Sequence, residues 1–316
     1  MKRCPITYEK ITPAERYSKR GLHLLSPQLT DLLPLNLSAA EQRMEALARA
    51  GKMSVQGVQT KLSAQLRVKK QCFEIVGEKG HFILKTQSEH YPELPENEAI
   101  TMVLASLAGL EVPLHGLIYA KDQSMTYFIR RFDRIGHQKK LCVEDFAQLS
   151  GRDRTTKYDS SMEKVAEIIM KFTTFPKIEL VKLFRLTVFN FLTGNEDMHL
   201  KNFSLITRNK KIMLSPVYDL LNTSIALKNF REETALPLNG KKNSLNRRDF
   251  LNYFAGERLG LNQTVVQDVM DRFRDVLPLW TALIGESFLS PGMRDSYLQL
   301  LRERSKRLGL CVISAG

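Results

Sequence analysis

The chain has 316 residues, 43% hydrophobic and 26% charged, which excludes a disordered protein and allows the core of a bilobal unit or of two domains. Its 47 Lys and Arg against 34 Asp and Glu leave a formal net charge of +13, which suits polyanionic partners such as nucleic acid, nucleotides or an RNA-bearing protein, or else a generally basic surface. Scattered cysteines (Cys4, Cys72, Cys142, Cys311), no apolar leader and no run of about 18 apolar residues argue against a disulfide scaffold, a zinc site and a membrane helix, so the cytosol is the expected compartment.

Taken in chain order, residues 1–50 are rich in loop signals, with prolines at 5, 13, 27 and 34. The first helix is predicted at AAEQRMEALARAG, capped by Ser38 and ended by Gly51. Between about 60 and 131 the segments LSAQLRV, FEIV, HFILK, LIYA and MTYFIRRF read as strands, being short and rich in β-branched and aromatic residues. One helix interrupts them, PENEAITMVLASLAG, with Pro95 at its start and Gly109 at its end. The strands are expected to stop at RRFDRIG. Beyond about 145 the period becomes helical, in SMEKVAEIIMKFTTF and in KIELVKLFRLTVFNFLTG, which is apolar almost all round and is expected to be a central core helix. Further helices are predicted at RRDFLNYFAGERLG, QTVVQDVMDRFRDVLPLW and PGMRDSYLQLLRERSKRLG. Strands first and helices later imply an α+β chain of two lobes, residues 1–131 and 132–316.

The core helix is followed by TGNEDMHLKNFSL, where a carboxylate, an imidazole, an ammonium and a carboxamide crowd one loop. Phosphoryl transfer needs a carboxylate near the attacking hydroxyl, oxygen ligands for magnesium and a cation on the phosphates. Asp197 and Asn202 repeat the step between base and metal-binding carboxamide in protein-kinase catalytic loops. Asp219 follows beyond a hairpin, FSLITRNKKIMLS, and Lys85 ends the strand HFILK. Glu98 can steady that lysine, or it can complement the helix dipole as a first-turn acid. Singly, Asp197 reads as a turn residue, His199 as a structural histidine, and Asn202 and Asp219 as loop residues. In this order they point to a kinase.

GNEDMHLKNFSL followed by SPVYDLL resembles the catalytic and metal-binding segments of the HipA family of serine/threonine kinases, bacterial toxin components. KMSVQGVQTKLSA, HFILK, NEAITMVLASLAGLEVP, RRFDR and EDFAQLSG resemble further family segments in the family's order, from about residue 45 onward. The resemblance implies a bilobal protein-kinase-like fold, with Asp197 as catalytic base and Asn202 and Asp219 as Mg2+ ligands. It places ATP against Lys85, His199, Leu200, Lys201, Asn202, Tyr218, Asp219 and the backbone of Arg130, Arg131 and Phe132. The loop of Gln56, Gly57, Val58, Gln59, Thr60 and Lys61 would cover the phosphates, although its one glycine alone reads as a strand-leading turn. Ser54 is the implied autophosphorylation site. Gln56 stands where some relatives have a second serine, Arg130 where many have Glu, and Val143 where a polar residue is frequent.

Since the loop motif begins near residue 53, the chain resembles the short form, HipT, of a HipBST-type toxin–antitoxin system. The implied partners are a HipB-like DNA-binding antitoxin and a HipS-like small protein. The implied substrate is an aminoacyl-tRNA synthetase, tryptophanyl-tRNA synthetase favoured, which the basic balance would suit if tRNA-bound. No recognition-helix or zinc-finger signature predicts direct sequence-specific DNA binding. The alternatives are a small-molecule or lipid kinase, and a non-catalytic co-repressor module.

Overall fold

Period-two alternation builds the first half of the chain. In a computed structural model that describes residues 2–49, 59–77, 79–136, 139–153, 155–227 and 232–310, the short strands β1 (Lys2–Arg3) and β2 (Lys10–Ile11) pair antiparallel, and α1 (Lys19–Leu25) and α2 (Ala39–Arg49) follow. Helix α2 opens on a reciprocal cap, with Glu41 N–H donating to Ser38 Oγ at 3.3 Å and Ser38 N–H to Glu41 Oε2 at 2.7 Å. Gly51, its expected end, lies outside the described residues, as do Ser54, Gln56, Gly57, Val58 and Cys311.

Strands β3 (Lys61–Arg67), β4 (Cys72–Ile75), β5 (Phe82–Lys85), β6 (His115–Tyr119) and β7 (Met125–Arg130) form an antiparallel sheet of order β4-β3-β5-β7-β6, and α3 (Leu94–Leu107) joins β5 to β6. Neighbouring residues of β7 face opposite ways, so one strand serves two cores. Phe128 packs with Phe82, Leu84 and Ile118 beneath Ile6, Leu22, Leu25, Leu29, Leu32 and Leu35 of the N-terminal segment. Tyr127 and Ile129 belong with α3 to the larger core. The loop-rich start of the chain, with a helix (α1) that its turn signals concealed, thus backs the sheet.

The strands do not stop at RRFDRIG. β8 (Arg134–Ile135) pairs with β9 (Lys139–Lys140), and β10 (Val143–Asp145) edges a second sheet with β11 (Ser204–Arg208) and β12 (Lys211–Leu214). Two- and three-residue strands carry no readable period, and β10 exists because β11 supplies its partner. Helices α4 (Phe146–Leu149), α5 (Met162–Phe172), α6 (Pro176–Thr193), α7 (Thr223–Ala226), α8 (Gln263–Gly285) and α9 (Pro291–Arg307) complete the chain. As expected, α6 is the central helix: Leu183, Phe184, Val188, Phe189, Phe191 and Leu192 have no solvent exposure, and Phe189 meets Trp280 of α8 edge to face at 5.5 Å. Between α7 and α8, Asp249–Arg258 is wound as a π-helix instead of the expected α-helix. The wider turn brings Phe250, Phe254 and Ala255, all fully buried, onto one side.

Candidate active site

Lys85 closes β5 with its side chain 5% exposed, and its Nζ lies 2.5 Å from Glu98 Oε1 and also pairs with Asp219 Oδ1. The ammonium stands 5.5 Å from the Tyr127 ring centroid, on the neighbouring strand. Glu98 is therefore the partner of Lys85, and Glu96 is the acid of the first turn of α3. Strand register sets Lys61 opposite Lys85, and Lys61 Nζ reaches Asp219 Oδ2 at 3.1 Å, so two lysines clamp one carboxylate. Burial opposes charge at Lys85 and Glu98, and in part at the half-buried Asp219, with different outcomes. It is outweighed at Lys85, which Asp219 and Glu98 raise to about 12, and at Asp219, which Lys61 and Lys85 hold well below the usual carboxylate range. At Glu98 burial prevails against Lys85 and pushes the carboxyl up to about 7. Asp219 also adopts a left-handed backbone, φ 53°, an uncommon conformation that Asp tolerates better than most residues.

The loop after α6 begins at Gly194, whose φ of 69° ends the helix. A Cβ there would lie 2.8 Å from both Asn222 Oδ1 and Ser224 Oγ, so the position requires glycine twice over. Gly194 O accepts from Thr223 N–H at 2.9 Å and from Thr223 Oγ1 at 3.0 Å, which fixes the loop to the start of α7. Glu196 is buried and accepts from Arg304 Nη2 of α9 at 2.8 Å and from Ser224 Oγ at 2.6 Å. Asp197 is left at the surface, its side chain 41% exposed. Its backbone carbonyl accepts from Asn202 Nδ2 and from His199 N–H, both at 2.9 Å, so the five-residue step closes a turn in which the carboxamide reaches back to the aspartate. Tyr158 O–H donates to Asp197 Oδ1 at 2.5 Å.

His199 is buried, and Lys157 Nζ donates to its Nε2 at 2.7 Å. Burial lowers its basicity, Asp197 opposes and Lys157 reinforces the shift, which suits a ring nitrogen that accepts from the Lys157 ammonium. Leu200 is buried in the core, and Lys201 Nζ donates to Asp145 Oδ2 at 3.0 Å. Tyr218 O–H donates to Lys201 O at 3.0 Å, and its ring lies 5.7 Å from that of Phe132.

Lys61, Lys85 and Asp219 are thus directly joined, as are Asp197, His199 and Asn202, while Phe132 reaches Lys201, next to Asn202 in the chain, through Tyr218. The side chains of Arg130 and Arg131 go elsewhere: Arg130 Nη2 donates to Leu24 O and Leu25 O at 3.3 and 3.1 Å, and Arg131 pairs with Asp133 at 2.9 Å. Gln59 Nε2 donates to Thr86 O at 3.0 Å, and the Thr60 hydroxyl is buried without a partner among the described residues. Sequence reasoning missed Lys157, Tyr158, Glu196 and Arg304. It also missed the pair Asn97–Asn222, in which Asn97 Nδ2 donates to Asn222 O and Asn222 N–H to Asn97 Oδ1, both at 3.0 Å. Only Asn97, a polar residue on an apolar helix, carried a signal.

A strand-rich lobe and a helical lobe, with a buried lysine that bridges them through Glu98 and Asp219, define a protein-kinase-like protein. The family described as HipA-like C-terminal domain matches residues 53–280. A Haemophilus influenzae protein that carries a kinase name is 31% identical over 93% of both chains. The serine/threonine-protein kinase toxin HipA of Shewanella oneidensis is 26% identical over 66% of this chain and 54% of its own length. Among solved structures, a chain of the Shewanella oneidensis HipA–HipB–operator DNA complex superposes with a TM-score of 0.69 at 23% identity, over 89% of this chain and 74% of that one. The chain belongs to the HipA-like C-terminal domain family of kinases.

Proposed function

We propose that the chain is a Mg-ATP-dependent protein serine/threonine kinase, the toxin of a HipBST-type module, that phosphorylates an aminoacyl-tRNA synthetase, tryptophanyl-tRNA synthetase favoured. The observation that carries the kinase activity is Lys85, buried and paired at once to Glu98 and Asp219. A cation so held is preset for the phosphates of ATP, and its carboxylate partners keep it protonated. Residues 1–131 would form the nucleotide-covering lobe and 132–316 the catalytic lobe, with the loop Gln56–Lys61 over the phosphates. The adenine side would meet Tyr218 and the backbone of Arg130–Phe132.

In transfer, Asp197 accepts the proton of the substrate hydroxyl as its oxygen bonds the γ-phosphorus, and the bond from that phosphorus to the β–γ bridging oxygen breaks to release ADP. Asn202 and Asp219 fit Mg2+, a hard cation held by one or two protein oxygens together with phosphates and water. Asn202 commits its Nδ2 to Asp197 O, so its Oδ1 is the atom that would ligate. Asp219 already carries two lysines, of which the half-exposed Lys61 is the easier to displace. When bound, the ion would neutralise charge on the phosphates.

The net charge of +13 supports a tRNA-bearing substrate. The presence of HipB in the complex of the structural neighbour supports a HipB-like antitoxin partner, and a HipS-like protein follows from the short-form resemblance. Ser54 would be the autophosphorylation site, where nearly two added negative charges would reposition the loop. The cytosol would be its place of action.

Incubation of the wild-type chain with radiolabelled ATP, Mg2+ and cell lysate should put label into protein bands, and Asp197→Asn should abolish it. Label confined to solvent-extractable material would indicate a lipid or small-molecule kinase. Full transfer by Asp197→Asn would overturn the assignment of the base.

A further inference from the structure

The segment before α5 touches the loop of Asp197 and has no part in the chemistry given so far. It is a built turn. Asp153 Oδ1 accepts from Thr155 N–H at 2.8 Å and Thr156 N–H at 3.0 Å, and Ser161 Oγ caps α5 by accepting from Lys164 N–H at 3.4 Å. Between these anchors, Lys157 O accepts from Leu200 N–H at 3.2 Å, a backbone tie to the turn that holds Asn202. Lys157 Nζ bonds His199 at 2.7 Å, and the Tyr158 ring meets the His199 ring edge to face at 5.1 Å and 86°. The ring is thus seated before its hydroxyl reaches Asp197 Oδ1 at 2.5 Å, the length of a charge-assisted hydrogen bond. Tyr158 is 40% exposed and the Asp197 side chain 41%, so the pair stands where an incoming hydroxyl can reach it.

We propose that Tyr158 is a positioning residue for phosphoryl transfer, holding the Asp197 carboxylate by Oδ1 so that Oδ2 receives the substrate hydroxyl. The inference rests on Asp197 being the base. An exposed aspartate samples several rotamers, and only a fraction of them place an oxygen in line with the nucleophile. A phenol in a fixed ring removes that freedom without competing for the proton, because burial and the neighbouring carboxylate keep it protonated. His199 has a role here that its position in the motif did not reveal, as the seat on which Lys157 and the Tyr158 ring rest.

Tyr158→Phe in the full chain keeps the ring and its packing on His199 and removes only the hydroxyl. Steady-state phosphotransfer should show kcat reduced about 10- to 100-fold, the range expected for a hydrogen bond to a charged group. KM for ATP, the Kd of a fluorescent ATP analogue and Tm should stay at wild-type values. A merely structural role would instead lower Tm and weaken nucleotide binding together, and that outcome overturns the proposal. An unchanged kcat overturns it too. So does a raised kcat, which would mean that the phenol occupies the place of the substrate hydroxyl. Asp197→Asn separates the two levels: if it is inactive while Tyr158→Phe is fully active, only the positioning role fails, and if Asp197→Asn is itself active, the base assignment fails.

Discussion

Lys85 is the residue on which the site turns. Glu98 and Asp219 both lean on its ammonium, and with a 5% exposed side chain it has little solvent to share the charge with. Removing one member of a buried ionic group costs about 3–5 kcal/mol when a partner remains buried and uncompensated, as Glu98 would, whereas Asp219 would keep Lys61. Lys85→Ala should therefore lower the free energy of urea unfolding by an amount in that range, with a lower midpoint, and reduce phosphotransfer by more than about 100-fold, since the proposed phosphate-binding cation is lost as well. Lys61→Ala is its control. Lys61 is 52% exposed on the side chain, and surface pairs are worth about 1 kcal/mol or less, so its midpoint should barely move. A wild-type urea midpoint in Lys85→Ala would refute the energetic role of the pair.

At the scale of elements, α3 joins the two halves of the site. Its Glu98 reaches Lys85, its Asn97 exchanges two hydrogen bonds with Asn222 just after Asp219, and its Thr101 meets Tyr297 of α9 at 3.0 Å. The first acid of the helix, Glu96, is buried with Gln87 donating to it at 2.8 and 2.9 Å, and burial raises its carboxyl to about 7 from the usual 4.5. A raised acid binds a proton in the folded chain that the unfolded chain has already released. Its contribution is complete below about pH 4.5 and is lost as pH rises through about 7. Glu96→Gln removes the ionisable group and leaves its shape. The variant should match wild type near pH 4 and exceed it at pH 8 by on the order of 2–3 kcal/mol in urea unfolding. Equal stability at both pH values would show that Glu96 stays ionised without cost.

At the scale of the whole molecule, the end of the chain is tied to its chemistry. Arg304, 7% exposed on its side chain, donates to Phe191 O at 2.8 Å and to Glu196 Oε1 at 2.8 Å, so α9 holds both the last turn of α6 and the residue before Asp197. Glu196 is itself pushed up by burial, with Ser224 and Arg304 opposing, which makes the arginine its necessary counter-charge. Arg304→Met should cost about 3–5 kcal/mol of stability. It should also lower phosphotransfer at temperatures where circular dichroism shows the chain still folded, because the loop loses its anchor. Activity retained at such temperatures would confine Arg304 to stability.

How much of this was legible in the sequence depends on distance along the chain. The helix through Thr193, the step from Asp197 to Asn202, the hairpin before Asp219, Lys85 at a strand end and the cap at Ser38 are local arrangements. Their spacing and periodicity are fixed by backbone geometry, so the sequence determined them, and with them the α+β class. The π-winding at Asp249–Arg258 and the strand β10 escaped it, because core packing decides the first and a distant strand the second. The partner of Glu98, the loop of Tyr158 over Asp197, the arginine behind Glu196 and the burial of the N-terminal segment on the sheet were decided only by the tertiary structure. Each joins residues far apart in the chain, and which of many polar side chains meet across a fold is set by how the elements pack.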